Sequence, residues 1–142
     1  MTRAGFAFST RFKVRYAEID RQKIVFNSRY LEYADVAVTE FWVWTGIAEA
    51  LGDEWRDSEF NVRRAELDYL SSFRLGDEVE AFVRIEALGT SSITKRFELV
   101  NPATGTLCCA ITMVSVHVDL STGRPVPLSP AIRAHLEQLP SA

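Results

Sequence analysis

The chain predicts an α+β fold, a five-stranded antiparallel sheet wrapped around one long central helix. Three observations carry this. A long helical pattern, residues 28–45, stands by itself near the N-terminus. One strand-like run precedes it, and four more follow in quick order, separated by turn sequences. Strands and the long helix are therefore segregated along the chain, which marks α+β rather than alternating α/β. A single sheet must bury an apolar helix, and curling around it does so. That arrangement leaves an outer face and a sheet edge to be covered, so at least a dimer is expected.

The elements follow in order. Residues 6–18 read as the first strand, with Phe6, Phe8, Phe12 and Tyr16 at even spacing and so on one face. In the helix, Leu31, Ala34, Val38, Phe41 and Thr45 recur at the spacing of an apolar stripe. Asn27 or Ser28 caps its start and Gly46 stops it. Phe41, Trp42 and Trp44 crowd its far end and read as core or subunit contact. Residues 47–51 add a short turn. Residues 60–70 form a strand, and SSFRLGDE a turn. Over residues 78–87, Val79, Ala81, Val83, Ile85 and Ala87 alternate with Glu78, Glu80, Phe82, Arg84 and Glu86, as in a half-buried strand. LGTSS turns into a strand at 92–100, NPATGT into a long apolar strand at 106–119, and STGR closes it. Ser129-Pro130 opens a short final helix, with serine at the cap and proline in the first turn.

Totals narrow the function. The 142 residues fit one domain, taken as 1–142. A hydrophobic share of 47% and a charged share of 25% are ordinary for a globular chain. The net charge of −3 argues against nucleic-acid and membrane-surface partners. The first residues lack a signal-peptide layout, and no apolar run approaches ~20 residues. The two cysteines, Cys108 and Cys109, are adjacent on a strand and point to opposite faces, so no disulfide framework is expected. A cytoplasmic setting follows. Two adjacent cysteines and two distant histidines are too few ligands for a metal site. No cofactor is implied, because the single turn glycines make neither a dinucleotide nor a phosphate loop, and no serine-nucleophile elbow exists.

The stretch YAEIDRQKIVFNSRY is where chemistry gathers. Asp20 leaves a strand-like run and enters a seven-residue loop that ends at a helix start. Such a start offers unpaired backbone N–H groups and a partial positive charge, which polarise a carbonyl and stabilise an oxyanion. A carboxylate aimed at the same spot can attack that carbonyl or activate a water. On an extended strand Tyr16 faces the same side as Asp20, which brings its hydroxyl to the site. Asn27 adds an amide. The plain alternative is an aspartate that only serves a turn.

The longer stretch VRYAEIDRQKIVFNSRYLEYADVAVTEFW resembles the N-terminal signature of the 4-hydroxybenzoyl-CoA thioesterase family, with Asp20, Val25, Asn27 and Tyr30 at matching positions. The later run from AELDYL to RFELV resembles its second half in the D-Y-L turn, the G-D-E strand start and the G-x-x-S hairpin. The resemblance spans roughly residues 8–120. It implies a hotdog fold, active sites at a dimer interface, and an acyl-CoA or acyl carrier protein substrate. It also implies Asp20 as nucleophile or base, with the Asn27 amide on the thioester oxygen and Tyr16 acting alongside. Phe26, Ser28 and Tyr30 are the substrate-binding candidates.

Three departures stand against that pattern. Asn27 replaces the histidine of one branch, and an amide cannot serve as a base near neutral pH. Gln22-Lys23 occupies a loop position where the family usually has glycine, and Lys23 reads as solvated. Leu88-Gly89-Thr90 stands where some members carry basic residues for CoA phosphates. Lys95, Arg96, Arg63 and Arg64 lie elsewhere, so no phosphate contact is assigned. Glu66, Asp68, Glu32 and Glu40 are lesser candidate acids. A hydratase or dehydratase needs a histidine paired with an acid, and His117 and His135 fall in no such motif. A non-catalytic acyl-thioester binder is the remaining class.

Overall fold

A computed structural model describes residues 2–141. Five strands form one antiparallel sheet: β1 (Phe8–Lys13), β2 (Glu59–Tyr69), β3 (Glu78–Leu88), β4 (Ser92–Asn101) and β5 (Thr106–Val118). Their order is β1-β3-β4-β5-β2, so β1 and β2 are the edges. The long helix α1 (Arg29–Thr45) lies in the curl of the sheet, as the segregated pattern predicts. Two short helices, α2 (Ile47–Leu51) and α3 (Asp53–Arg56), lead into β2, and α4 (Pro130–Glu137) closes the chain. Gly46 stops α1 in the left-handed conformation (φ 67°), which glycine adopts without a Cβ penalty. At α4, the Ser129 hydroxyl accepts the Ile132 N–H, as the Ser-Pro signal implies.

The core forms where α1 meets the strands. Phe41, Phe73, Phe97, Leu99 and Ile111 are almost wholly removed from water. The buried stripe of α1 is Tyr30, Tyr33, Ala34, Ala37, Phe41 and Thr45. It is rotated from the predicted stripe, because the tyrosine rings are buried once their hydroxyls find partners. The Tyr33 hydroxyl donates to Glu18 at 2.8 Å, and the Tyr30 hydroxyl accepts the Phe73 N–H at 3.3 Å. Leu31, predicted for the core, is 39% exposed.

The first strand is shorter than its aromatic spacing suggests. Phe8 meets Phe41 and Phe12 meets Tyr33 on the helix side. Phe6 instead packs on the outer face, with Phe82 and Val100, because the chain turns back between Arg3 and Phe6 through Gly5. Arg3 pairs with Glu98 at 2.5 Å beside it, so part of the outer face is covered from within the chain. After Lys13 the extended run breaks. Residues Tyr16–Glu18 form a 3-10 turn, which ends the alternation on which the facing of Tyr16 and Asp20 was argued. Tyr16 is 79% exposed.

The turn puts Glu18 inside instead. Its carboxylate accepts the Arg15 backbone N–H at 2.8 Å, the Arg15 guanidinium at 2.9 Å and the Tyr33 hydroxyl at 2.8 Å. Burial raises its pKa, but these hydrogen bonds and the arginine charge outweigh burial and hold it below the ordinary 4.5. A carboxylate whose folded pKa is depressed adds stability above its unfolded pKa and loses it as pH falls through the folded value. Glu18→Gln is therefore expected to destabilise the fold by about 2 kcal/mol near pH 7, since a buried charged acceptor is lost. Urea unfolding across pH checks this: the gap from wild type narrows as pH falls below 4.5.

Candidate active site

Residues 19–25 form a small hairpin. Ile19 bridges to Val25, and Ile24 bridges to Arg74 beyond it. The hairpin is closed by the Phe26 N–H donating to the Glu18 carbonyl at 2.9 Å. At its tip the Asp20 N–H donates to the Ile24 carbonyl and the Lys23 N–H to the Asp20 carbonyl, both at 2.9 Å. The Asp20 side chain takes part in this turn: Oδ1 accepts the Gln22 N–H at 2.7 Å. Among the described residues Oδ2 has no protein partner. The carboxylate is thus oriented through one oxygen and open through the other.

The second arm of the hairpin runs directly into α1. Ser28 is the cap residue, but it has helical dihedrals (φ −69°, ψ −20°) and its hydroxyl caps nothing. The Arg29 and Tyr30 N–H groups close turns onto Phe26 and Asn27. The N–H groups of Asn27 and Ser28 make no backbone hydrogen bond among the described residues, so they are the donors that the helix start presents. The Tyr69 hydroxyl donates to the Asn27 carbonyl at 3.1 Å and ties the end of β2 to this start.

Asp20, Phe26, Asn27 and Tyr30 line one cleft of about 580 Å³, closed on its other side by Tyr69 and the 70–72 turn. Tyr69 and that turn were not among the sequence candidates. The D-Y-L motif was their signal, but only the fold brings it opposite Asn27. Ser28 does not line this cleft. Tyr16 lines the neighbouring one, with Asp20, Arg21 and Lys23, and no hydrogen bond joins Tyr16 to Asp20 among the described residues. Tyr30 contributes an edge: its ring is buried, and its hydroxyl is engaged with the Phe73 amide.

Glu32, Glu66 and both histidines are held by other partners. Glu32 pairs with Arg29 at 3.0 Å, and Glu66 pairs with Arg64. His117 donates from Nδ1 to the carbonyls of Val126 and Pro127 and stacks on Phe60. His135 bonds the Thr45 carbonyl at 2.7 Å and joins α4 to the end of α1. Burial pushes the Cys109 thiol up to about 12 and raises that of Cys108, so neither is a thiolate at neutral pH. Among the described residues no three of His, Cys, Asp and Glu gather as metal ligands would.

A family model described as the thioesterase-like superfamily matches residues 14–136. The chain belongs to this superfamily. It is similar to a thioesterase from Thermus thermophilus, crystallised with coenzyme A and zinc, at 31% identity over 94% of this chain and 93% of that one, with a TM-score of 0.78. A predicted thioesterase from Bacillus stearothermophilus shares the fold at 24% identity, 92% and 94% coverage and a TM-score of 0.77. The PA5185 protein of Pseudomonas aeruginosa shares it at 23% identity, 97% and 94% coverage and a TM-score of 0.80. A search of curated proteins gives no match. The superfamily makes this chain a thioester hydrolase with the hotdog architecture that the sequence resemblance implies.

The hairpin tip explains one departure from the family pattern. Lys23 has φ 64° and is the one non-glycine residue in the left-handed region among those described. A side chain there costs about 1 kcal/mol, which glycine avoids. Lys23→Gly is expected to raise the urea midpoint, by up to about 1 kcal/mol of stability, with the turn around Asp20 kept. An unchanged or lower midpoint contradicts this account.

Proposed function

We propose that the protein hydrolyses acyl-CoA thioesters and that Asp20 carries the reaction. The observation behind this is the shared cleft: the open oxygen of Asp20 and the N–H groups at the start of α1 belong to two arms of one hairpin. The Asn27 N–H donates to the thioester oxygen, and the positive end of the helix favours the charge that develops there. The Asp20 carboxylate then attacks the carbonyl carbon, or takes a proton from the water that does. The C–S bond breaks and CoA leaves as its thiolate: direct attack leaves an acyl anhydride on Asp20 that water then hydrolyses, whereas attack by the activated water gives the free acid at once. The Asn27 side chain orients the acyl group or a water, with no proton of its own to trade. Phe26 gives the cleft an apolar wall, and Tyr16 stands at the neighbouring cleft rather than on the reacting carbonyl.

This reading places the chain with the aspartate-dependent 4-hydroxybenzoyl-CoA thioesterases. It is supported by the matched motif residues and by the CoA bound to the Thermus thermophilus relative. The single domain, taken as 1–142, works as a homodimer or homotetramer. In support, β2 is an eleven-residue edge strand, exposed over most of its length, with Val62 60% exposed. Two buried free thiols fit a reducing, cytoplasmic setting. Histidine-based hydratase chemistry is disfavoured, because His117 and His135 are both held by backbone carbonyls and neither lines the cleft.

Thiol release from a panel of aliphatic and aromatic acyl-CoAs is the test. Asp20→Asn is expected to lower kcat by about a hundredfold or more while the fold is retained. Retention of full rate removes Asp20 from the mechanism. Absence of release from every CoA and carrier-protein thioester removes the hydrolase reading. Solution mass is expected at twice or four times the chain mass, and a monomer contradicts an interfacial site.

A further inference from the structure

Lys95 occupies a position that the fold otherwise reserves for apolar side chains. On β4, Ile93, Lys95, Phe97 and Leu99 alternate onto the helix side, and all four are buried. Lys95 is 7% exposed. Its ammonium has three donors. Among the described residues it makes one hydrogen bond, to Ser115 Oγ at 3.1 Å, and no ion pair. The Trp42 ring lies 6.0 Å away, at the outer limit of a cation–π contact. Burial pulls the Lys95 pKa down to about 8, with the Asp35 charge opposing, which is the mark of a cation without a close counter-charge.

Lys95 and Ser115 line a cleft of about 470 Å³ between α1 and β2. Its walls are apolar: Leu31 and Val38 from α1, Phe60 and Val62 near the start of β2, and Met113 from β5. The candidate active site lies between the same two elements, at Asn27 and Tyr69. From Asn27 to Asp35, level with Lys95 in the cleft, the helix advances about 12 Å. From Tyr69 back to Ala65, the strand covers about 13 Å. About 12–13 Å along the same flank of α1 and β2 therefore separates the reacting end from a buried cation.

We propose that this cleft takes the far end of the acyl chain and that Lys95 binds a terminal carboxylate there. The substrates are then mono-thioesters of medium-length dicarboxylic acids. The assignment rests on the hydrolase reading above and adds its substrate class. Apolar walls bury the methylene chain, and the ammonium meets the carboxylate with charge-assisted hydrogen bonds. Asp35 also lines the cleft, but it is exposed, so water and salt screen its repulsion, while the Lys95 charge acts at contact.

The test pairs octanoyl-CoA with the mono-CoA thioester of octanedioic acid, for wild type and Lys95→Met. Wild type is expected to favour the octanedioyl thioester in kcat/KM by roughly tenfold or more, the worth of one charge-assisted contact. Lys95→Met is expected to erase that preference through a higher KM for the octanedioyl thioester. A wild-type enzyme that prefers octanoyl-CoA, or does not distinguish the two, overturns the assignment, as does a variant that keeps the preference. Calorimetry with free octanedioate and octanoate separates this from the hydrolase reading. If no thioester of the full CoA and carrier-protein panel releases thiol, the hydrolase reading falls. Selective binding of octanedioate, lost in Lys95→Met, then still upholds the carboxylate site, and equal binding refutes it.

Discussion

The buried carboxylate of Glu18 is the interaction on which the rest depends. It stands where the chain leaves β1, and it holds three donors from two elements, Arg15 before the turn and Tyr33 on α1. Its own backbone carbonyl accepts the Phe26 N–H and closes the hairpin that leads into the helix. A buried charge of this kind is tolerable only when its hydrogen bonds are complete. The requirement therefore sets the end of β1, the hairpin and the rotation of α1 together. Asp20 and Asn27 inherit their relation from it, since they sit on opposite arms of the hairpin that Glu18 anchors.

A second constraint is the width of the sheet. Five strands curl around α1, but β2 is the last of them and leaves one flank of the helix open. At the start of the helix this flank carries unpaired N–H groups and the Tyr69 tie. Farther along it carries Leu31, Val38 and the buried ammonium of Lys95. A helix covered on all sides has no room for a substrate, and one covered on a single side has no core. The partial wrap supplies a packed face and an open one, and the open one holds Asn27, Tyr69 and Lys95.

Much of this was readable from the chain. Segregated elements, the Gly46 stop and the Ser129-Pro130 start led to the sheet and its helices. Asp20 and Asn27 were readable because a loop acid before a helix start is a local pattern. Tyr16 was not, because even spacing places two residues on one side only while the backbone stays extended, and a 3-10 turn intervenes. Phe6 went to the other face for a similar reason, through the turn at Gly5. Nothing in the neighbours of Glu18 announced that Tyr33, fifteen residues on, is its partner. Lys95 did leave a signal: it alternates with Ile93, Phe97 and Leu99, so a strict reading of the strand puts it inside.

By itself, then, the sequence determined what local physics controls: the type and order of the elements, the caps, and the acid that precedes the helix. Periodicity and turn chemistry act over a few residues, and they suffice for those. Only the tertiary structure decided which side chains share a space. Glu18 with Tyr33, Asn27 with Tyr69, and Lys95 with Ser115 are each separated by fifteen residues or more in the chain. Burial is a property of the closed sheet and not of any segment, so it is the fold that turns Glu18 into an anchor and Lys95 into a buried charge that calls for a partner.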